Sequence, residues 1–198
     1  MDFIYEIPNN LSDERCEEII KRFDADKRKS AGIVGSKGEI KSIKKSTDLS
    51  ISRIGNEWKD IDNYLHTQLA EGIEQYAAHI KKIGCYGGIS HSLQNKCTDS
   101  GYQIQKSVIG DYYSWHNDSY TPHGRFLTFL WYLTSHDPME HGGGTAFHPK
   151  IDGGKIVSPE RGKLLLFPAT WTYIHMGLPL IKGDPKYIAT GWLCSPST

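Results

Sequence analysis

The chain has 198 residues, of which 38% are hydrophobic and 23% are charged, and its 23 Lys and Arg residues balance its 23 Asp and Glu residues. This composition predicts a single folded domain over residues 1–198 and excludes a disordered, collagen-like or disulfide-dependent chain. The balanced charge gives no general reason to expect a nucleic acid or an acidic membrane as partner. The sequence shows no signal-peptide pattern, no apolar stretch of spanning length and no CxxC spacing among its 4 Cys residues, which predicts a cytoplasmic protein with free thiols.

The first part of the chain, residues 1–100, carries helical patterns. Ser12 can cap a first helix, because acidic residues follow in the first turn and apolar residues then recur at the helical period. A second amphipathic helix is predicted over residues 57–82. Between the two helices, residues 24–46 are rich in Lys, Ser and Gly. This segment is predicted to be a flexible basic loop, either a solvated surface excursion or a lid over a site.

From residue 101 to the end, apolar residues alternate with a period of two, which is typical of strands. Turn signals separate short predicted strands. The predicted strands cover residues 102–108, 112–117, 125–134, 144–148, 155–157, 163–167, 172–176 and 186–193. Roughly eight short strands at this spacing predict a mainly β protein with N-terminal helices (α+β), in which a sandwich or a jelly roll is braced by two helices.

A candidate metal site begins with His116 and Asp118. Residues two apart on a strand project from the same face, so that an imidazole and a carboxylate can share one ion. The pair alone is weak evidence, since roughly one such pair is expected by chance. His175 strengthens it, because a jelly roll can bring this later strand beside the early one. Two imidazoles and one carboxylate are typical of non-haem Fe(II) oxygenases, although a hydrogen-bonded core histidine and a surface pair are the alternatives.

Lys186 opens the last predicted strand, where alternation places it on the same face as Trp192. A lysine that points into a barrel is unfavourable unless an anion meets it, and a dicarboxylate is such an anion. Thr128 and Tyr132 share a face of the strand predicted over residues 125–134, and their hydroxyl groups can join Lys186 around a carboxylate. Lys182, the rival lysine, precedes a turn and is expected to face water.

Taken in order, the motifs between about residue 104 and residue 193 resemble the Fe(II)- and 2-oxoglutarate-dependent dioxygenases of the prolyl 4-hydroxylase type. The resemblance depends on GDYYSWHND at 110–118, RFLTFLWYL at 125–133, GGTAF at 143–147, RGKLLLF at 161–167, HMGLP at 175–179, and Lys186 followed by Trp192. The helix start at 11–14 and the segment 45–47 match less distinctly. The resemblance implies a double-stranded β-helix, the cupin-like form of the jelly roll, for residues 101–198.

The resemblance also assigns roles by position. The implied iron ligands, which form the catalytic centre, are His116, Asp118 and His175. The implied residues around the distal carboxylate of 2-oxoglutarate are Lys186, Tyr132 and Thr128. The implied substrate-pocket residues are Tyr113, Trp192 and Arg125. The implied cofactors are Fe(II), 2-oxoglutarate as cosubstrate and O₂, with ascorbate as a candidate accessory cofactor.

The implied activity is hydroxylation of an unactivated C–H bond, foremost in a prolyl residue of a peptide or protein, with release of succinate and CO₂. Ser107 departs from the family pattern, which often has a tyrosine near the cosubstrate, and Cys194 replaces a basic residue. These departures bear on the substrate more than on the metal. The alternatives are hydroxylation of a free amino acid or small metabolite and, outside this class, a Zn-dependent hydrolase or a non-catalytic jelly-roll module. No nucleic-acid or membrane partner is expected, and the oligomeric state is left open.

Overall fold

A computed structural model describes residues 3–34, 38, 40–85, 93, 97–119, 124–149 and 153–195 of the protein, and most of these residues lie in β-strands or in two helices. The helices are α1 (Asp13–Ala25) and α2 (Lys59–Lys82), and short 3-10 helices cover Ile51–Arg53 and Asn56–Trp58. The strands are β1 (Tyr5–Ile7), β2 (Ser30–Ala31), β3 (Thr47–Ser50), β4 (Thr98–Asp99), β5 (Gln103–Ser107), β6 (Tyr113–His116), β7 (Arg125–Tyr132), β8 (Thr145–Phe147), β9 (Ile156–Val157), β10 (Leu164–Pro168), β11 (His175–Gly177) and β12 (Lys186–Cys194).

Two antiparallel sheets form the body of the protein. The larger sheet has the order β1, β10, β7, β12, β5, β3, β2, and β4 pairs with the end of β12. The smaller sheet has the order β6, β11, β8, β9. Strands that are distant in sequence are neighbours in both sheets, which is the connectivity of a jelly roll. The predicted fold, a mainly β double-stranded β-helix braced by two helices, is therefore confirmed.

Strand β7 lies inside the larger sheet and is buried on both faces along most of its length. Phe129 and Trp131 belong to an apolar cluster that includes residues of both helices. Leu130 and Tyr132 belong to a second cluster, which includes Phe147 of the smaller sheet. Burial on both faces explains why this strand is a nearly continuous apolar run in the sequence. The face that carries Leu130 and Tyr132 is the one on which the candidate site lies.

The helices cover the other face of the larger sheet. Helix α1 begins as predicted, because the Ser12 hydroxyl accepts a hydrogen bond of 3.3 Å from the backbone N–H of Arg15. Helix α2 begins at Lys59 rather than at residue 57, since the 3-10 turn over Asn56–Trp58 precedes it. Its buried apolar residues repeat at the helical period and include Ile61, Leu65, Leu69, Tyr76 and Ile80. Within the described ranges, neither helix has the length and apolarity needed to cross a bilayer.

The segment predicted as a basic loop, residues 24–46, contains more structure than its composition indicates. Its first two residues complete α1, and it includes the edge strand β2. The Ser114 N–H donates to Ile43 O and the Lys45 N–H donates to Tyr112 O, both at 2.8 Å, so that residues 43–45 pair with the start of β6. Residues 35–37 and 39 lie outside the described residues. The interpretation of this loop as a lid stays a prediction.

Gly191 lies in β12 at a close approach of neighbouring chain segments. A Cβ at this position would lie 2.5 Å from the carbonyl oxygen of Gly101 and 2.5 Å from the ring of Phe129. We expect Gly191→Ala to lower the free energy of unfolding by about 1–3 kcal/mol, because backbone cannot yield as a flexible side chain does. Urea unfolding followed by circular dichroism measures this change. The matched Gly177→Ala adds a Cβ with ordinary contacts at 3.6 Å and is expected to be neutral, so equal losses in both variants would contradict the prediction.

Candidate metal centre and its pocket

The structure brings His116, Asp118 and His175 together. Strands β6 and β11 are neighbours, and their register pairs His175 with His116. The Nε2 atom of His116 lies 3.5 Å from Asp118 Oδ1, and the Nε2 atom of His175 lies 3.4 Å from Asp118 Oδ2. One potential ligand atom from each residue lies within 4.8 Å of the others, and no second group of this kind occurs among the described residues.

Backbone carbonyl groups orient both imidazole rings. The Nδ1 atom of His116 lies 2.7 Å from Ser114 O, and the Nδ1 atom of His175 lies 3.0 Å from Tyr173 O. A carbonyl oxygen only accepts hydrogen bonds, so in each neutral ring Nδ1 carries the proton and Nε2 presents a lone pair toward Asp118. Histidines that bind metals have this arrangement, in which the second nitrogen donates to a carbonyl or carboxylate oxygen.

Asp118 is the carboxylate at the centre of the group. It is buried, and its Oδ2 atom accepts a hydrogen bond of 2.7 Å from the Thr128 hydroxyl. Burial acts to raise the pKa of Asp118, but the charges of His175 and His116 and the Thr128 hydrogen bond outweigh it, and the pKa is lowered. Burial, and then the charge of His175, lower the pKa of His116 to about 4. At neutral pH the site therefore combines an ionised carboxylate with a neutral His116 ring.

Tyr113, whose predicted role in a substrate pocket stays a prediction, forms one wall of the site. Its ring stacks on His116 with the ring centres 3.5 Å apart and an angle of 13° between the planes. The Nζ atom of Lys44 lies 5.3 Å from the centre of the Tyr113 ring, and it also forms a buried ion pair of 2.7 Å with Asp48. The sequence analysis missed Lys44 and Asp48, because a Lys and an Asp four residues apart in a basic segment carry no signal of burial.

His116, Asp118 and His175 are the candidate metal residues. A cavity of about 80 Å³ extends from them between the two sheets. The four residues of β12 that alternation placed on one face all line it, as do Thr128 and Tyr132 of β7. These four residues of β12 are Lys186, Ile188, Thr190 and Trp192. The predicted facing of both strands is therefore confirmed, and the cavity connects the metal residues with Lys186.

Lys186 lies in this cavity as a buried cation. It is 7% exposed, and its Nζ atom donates to Gly143 O at 2.8 Å. Burial lowers the pKa of Lys186 to about 8, and no charge among the described residues offsets this effect. Lys182, in contrast, is exposed and pairs with Glu140 at 2.8 Å. The structure thus places Lys186, and not Lys182, where an anion can meet it.

The hydroxyl groups near Lys186 differ in their partners. Tyr132 donates to the Thr145 hydroxyl at 2.6 Å, which leaves the proton of Thr145 available to a ligand in the cavity. Thr128 donates to Asp118 instead, so its observed contact is with the candidate metal site. Its assignment to the cosubstrate, like that of Tyr132, stays a prediction. Thr145 was missed as a site residue, although it lies within the GGTAF motif.

Trp192 and Arg125 line an outer groove of about 350 Å³, to which Tyr113 also contributes. The Arg125 guanidinium lies 3.5 Å from the centre of the Trp192 ring, a cation–π contact. The groove shares His116 and Asp118 with the inner cavity. The three residues predicted for a substrate pocket are therefore placed together at the outer side of the metal residues.

Thr128→Val is expected to weaken divalent metal binding by about 10- to 100-fold, because loss of a hydrogen bond to a metal ligand frees its carboxylate to rotate. Anaerobic titration with Mn(II), followed by electron paramagnetic resonance, measures the change. Thr190→Val is the matched control, since Thr190 is also buried beside the cavity but donates to Phe129 O. Equal metal affinities in the two variants would show that the Thr128 contact has no such role.

Comparison with known proteins finds similarity to one family over the part of the chain that contains the candidate site. Residues 102–194 match a family model described as the 2OG-Fe(II) oxygenase superfamily. A PKHD-type hydroxylase of Synechococcus sp. (strain CC9902) is 29% identical over 92 residues, which are 46% of this chain. The match covers 39% of that relative's length, so this chain corresponds to less than half of it.

Solved structures share the fold over nearly the whole chain. A prolyl hydroxylase from Trichoplax adhaerens, solved with a peptide of the hypoxia-inducible factor oxygen degradation domain, has a TM-score of 0.75 at 19% identity, covering 98% of this chain and 84% of its own. A Pseudomonas putida prolyl-4-hydroxylase has a TM-score of 0.67 at 18% identity, covering 96% and 92%. A viral collagen prolyl hydroxylase from Paramecium Bursaria Chlorella virus-1, solved with 2OG, has a TM-score of 0.66 at 18% identity, covering 99% and 97%.

Proposed function

We propose that this protein, whose residues 102–194 match the model of the 2OG-Fe(II) oxygenase superfamily, is a dioxygenase that hydroxylates an unactivated C–H bond, foremost in a prolyl residue of a peptide. The observation that carries the proposal is the combination of His116, Asp118 and His175 with a cavity that also contains the buried cation of Lys186. The prolyl substrate is supported by the fold shared with three prolyl hydroxylases.

The donor groups fit ferrous iron. Two Nε2 lone pairs and one carboxylate face each other, the donor set of non-haem iron oxygenases that leaves positions open for other ligands. His116, Asp118 and His175 would hold the ion. When bound, Fe(II) supplies the activation of O₂ that is coupled to oxidation of 2-oxoglutarate to succinate and CO₂. The task of the chain is to hold these reactants in place and to keep water out.

Lys186 would bind the distal carboxylate of 2-oxoglutarate. A buried ammonium group whose partner among the described residues is a carbonyl is unfavourable, and a carboxylate would supply both the opposite charge and a charge-assisted hydrogen bond. Thr145 can donate a further hydrogen bond, because Tyr132 already donates to its oxygen. The two hydroxyl groups would thus fix the carboxylate beside Lys186 and orient the rest of the dicarboxylate toward the metal residues.

Tyr113 and Trp192 would hold the substrate on the outer side of the metal residues. Both rings line the groove, and Arg125 keeps the indole in place by stacking on it. Aromatic walls exclude water and restrict the orientation of a bound C–H group, which favours one reacting position over its neighbours. The chain would therefore select the oxidised carbon by geometry.

The other classes considered from the sequence receive less support. A zinc hydrolase does not require a buried lysine in the cavity beside its metal. A non-catalytic module does not require a metal site that keeps positions open for other ligands. We further propose one domain over residues 1–198, because residues of both helices share an apolar cluster with the larger sheet. A cytoplasmic location is supported by the free thiols of Cys16, Cys85, Cys97 and Cys194. Ascorbate as accessory cofactor stays a prediction from the resemblance.

An assay of 2-oxoglutarate turnover tests the proposal. Purified protein with Fe(II), 2-oxoglutarate and air is expected to form succinate, and N-oxalylglycine is expected to inhibit the reaction. Mass spectrometry of proline-containing peptides is expected to show the gain of one oxygen atom, whose position on proline is then assigned by fragmentation. Tight metal binding without succinate formation, in the presence of peptide, would reject the dioxygenase proposal.

A further inference from the structure

The indole N–H group of Trp192 is buried and forms no regular hydrogen bond with the described part of the chain. Two other buried indoles differ in this respect, because Trp58 donates to Asp26 at 3.0 Å and Trp131 donates to Asn10 at 2.6 Å. A buried donor without an acceptor is unfavourable, and in native proteins such groups are rare and often belong to a functional site. The Trp192 N–H group is thus a donor whose acceptor has to be sought among its neighbours.

The register of the larger sheet places Trp192 of β12 directly opposite Thr128 of β7. Directly opposite residues of antiparallel strands point to the same face, with their Cβ atoms about 4.5–5.5 Å apart. Thr128 donates to Asp118 Oδ2 at 2.7 Å, and Asp118 lines both the inner cavity and the outer groove, as Trp192 does. Burial acts to raise the pKa of Asp118, whereas Trp192 and Thr128 are among the side chains that lower it. The Trp192 N–H group therefore lies near this carboxylate without a regular hydrogen bond to it.

The two carboxylate oxygens of Asp118 differ in their partners. Oδ2 accepts the hydrogen bond from Thr128, whereas the contact that the structure gives Oδ1 is with His116 Nε2, at 3.5 Å. This nitrogen is not a donor in the neutral ring, because the proton lies on Nδ1, which faces Ser114 O. Among the described residues, Oδ1 is thus an acceptor without a regular donor, close to a donor without a regular acceptor.

We infer that Trp192 is a second positioning residue for Asp118: its indole N–H group donates to Oδ1 and, together with Thr128, holds the carboxylate in the orientation that binds the metal. This inference rests on the proposed function for the identity of the metal as iron, but not for the presence of a metal site. Hydrogen bonds to a metal-binding carboxylate restrict its rotation. Such contacts are often long or poorly aligned until ligands bind, so this one is expected to shorten on metal binding.

The ring and the N–H group of Trp192 then have separate tasks. The ring, stacked on Arg125, faces the outer groove that is proposed to hold the substrate, while the N–H group serves the metal-binding carboxylate. Trp192→Phe separates the two tasks, because phenylalanine keeps an aromatic ring and lacks the donor. We expect this variant to weaken Mn(II) binding by about tenfold or more, as is typical for loss of a hydrogen bond to a metal ligand.

Trp58→Phe is the matched control. It also removes an indole N–H group that donates to a carboxylate, but Trp58 and its partner Asp26 line neither the inner cavity nor the outer groove. Both variants can lose stability, so circular dichroism verifies their folds, and anaerobic Mn(II) titration followed by electron paramagnetic resonance measures affinity. We expect wild-type affinity in Trp58→Phe. Equal affinities in the two folded variants would overturn the inference.

Nuclear magnetic resonance of the wild-type protein detects the hydrogen bond itself. The chain has 5 Trp residues, and the indole signals that are lost in Trp192→Phe and in Trp58→Phe identify these two groups. On titration with Zn(II), which is diamagnetic, we expect the Trp192 signal to move downfield, since a short charge-assisted hydrogen bond deshields its proton. The Trp58 signal is expected to stay in place. A Trp192 signal that is unchanged at saturating Zn(II) would contradict the assigned role.

Two further arms separate other outcomes. A Trp192 signal that moves only when N-oxalylglycine is added to the Zn(II)-loaded protein would assign the donor to the cosubstrate and overturn the inference. Weaker peptide binding by Trp192→Phe at unchanged metal affinity would leave Trp192 with the substrate contact alone, which also overturns it. A downfield shift with Zn(II) and weaker Mn(II) binding by Trp192→Phe, without succinate formation by the wild type, would instead reject the proposed function and support the positioning role.

Discussion

His116→Ala and His175→Ala are each expected to abolish tight Fe(II) binding and 2-oxoglutarate turnover in a protein that remains folded. Each change leaves one imidazole and Asp118, and two protein donors hold a ferrous ion far more weakly than three. We expect metal affinity to fall by more than about 100-fold, beyond the loss typical of a missing outer hydrogen bond. Anaerobic calorimetric titration with Fe(II) measures affinity, and the succinate assay measures turnover.

The control for this experiment is a histidine beside the site that does not face the other ligands. His148 packs edge-on against Trp115 with the ring centres 5.7 Å apart, and His148→Ala is expected to keep full metal affinity. Since the buried His175 ring packs on Phe167 and Phe147, truncation can also lower stability. His175→Gln fills more of the space, and circular dichroism verifies its fold. Wild-type iron affinity in folded variants of both histidines would disprove the ligand assignment.

Lys186→Met is expected to raise the KM for 2-oxoglutarate by about 10- to 100-fold, because it removes a charge-assisted hydrogen bond to the distal carboxylate. Methionine retains most of the volume of the lysine stem. We also expect the ligand-free variant to be more stable at neutral pH than the wild type, since the buried cation has no carboxylate partner in the part of the chain that the structure describes. Lys182→Met, on the exposed rival, is expected to change neither property. An unaltered KM in Lys186→Met would move the role to another residue.

The same lysine predicts a pH dependence of cosubstrate binding. Burial lowers the pKa of Lys186 from 10.5 to about 8, so the ammonium form is present below about pH 8 and lost above it. The affinity for 2-oxoglutarate is therefore expected to fall by up to about tenfold per pH unit above that value, and the fall is expected to be absent in Lys186→Met. Between about pH 8 and pH 10.5, the Lys186 side chain is more fully protonated in the unfolded chain than in the folded protein. Lys186 therefore makes the free energy of unfolding rise with pH across this range.

The sequence predicted the centre of the fold better than its edges. Strand β7 was predictable because burial on both faces imposes an apolar run with few polar interruptions. Strands β1 to β4 were not predicted, and they lie at or near the margins of the larger sheet. Two of them have only two residues. Strands of this length are set by pairing with distant segments, such as Thr47 with Lys106, and their composition carries little of that information.

The candidate site was likewise predictable where local sequence determines it and not where long-range packing does. The facing of Lys186 followed from the period of β12, which local sequence determines, whereas Asp118 lies two residues beyond the end of β6 and is not placed by a strand period. The partner of the Thr128 hydroxyl could not be predicted, because it depends on how the segment after β6 brings Asp118 to β7. The burial of Lys44 also depends on long-range packing, since Asp48 and the Tyr113 ring together create its environment.

The pairing of residues 43–45 with β6 has a consequence for how the protein can diversify. Separating this segment from β6 would break two backbone hydrogen bonds and disturb the Tyr113 ring stacked on His116, so substitutions here are expected to alter iron affinity. Ile33 lines the outer groove, together with Trp192 and Arg125, and is 55% exposed. Changes near Ile33 can therefore remodel the groove without reaching the proposed iron ligands, and lineages of this protein can acquire new target preferences while conserving the proposed redox chemistry.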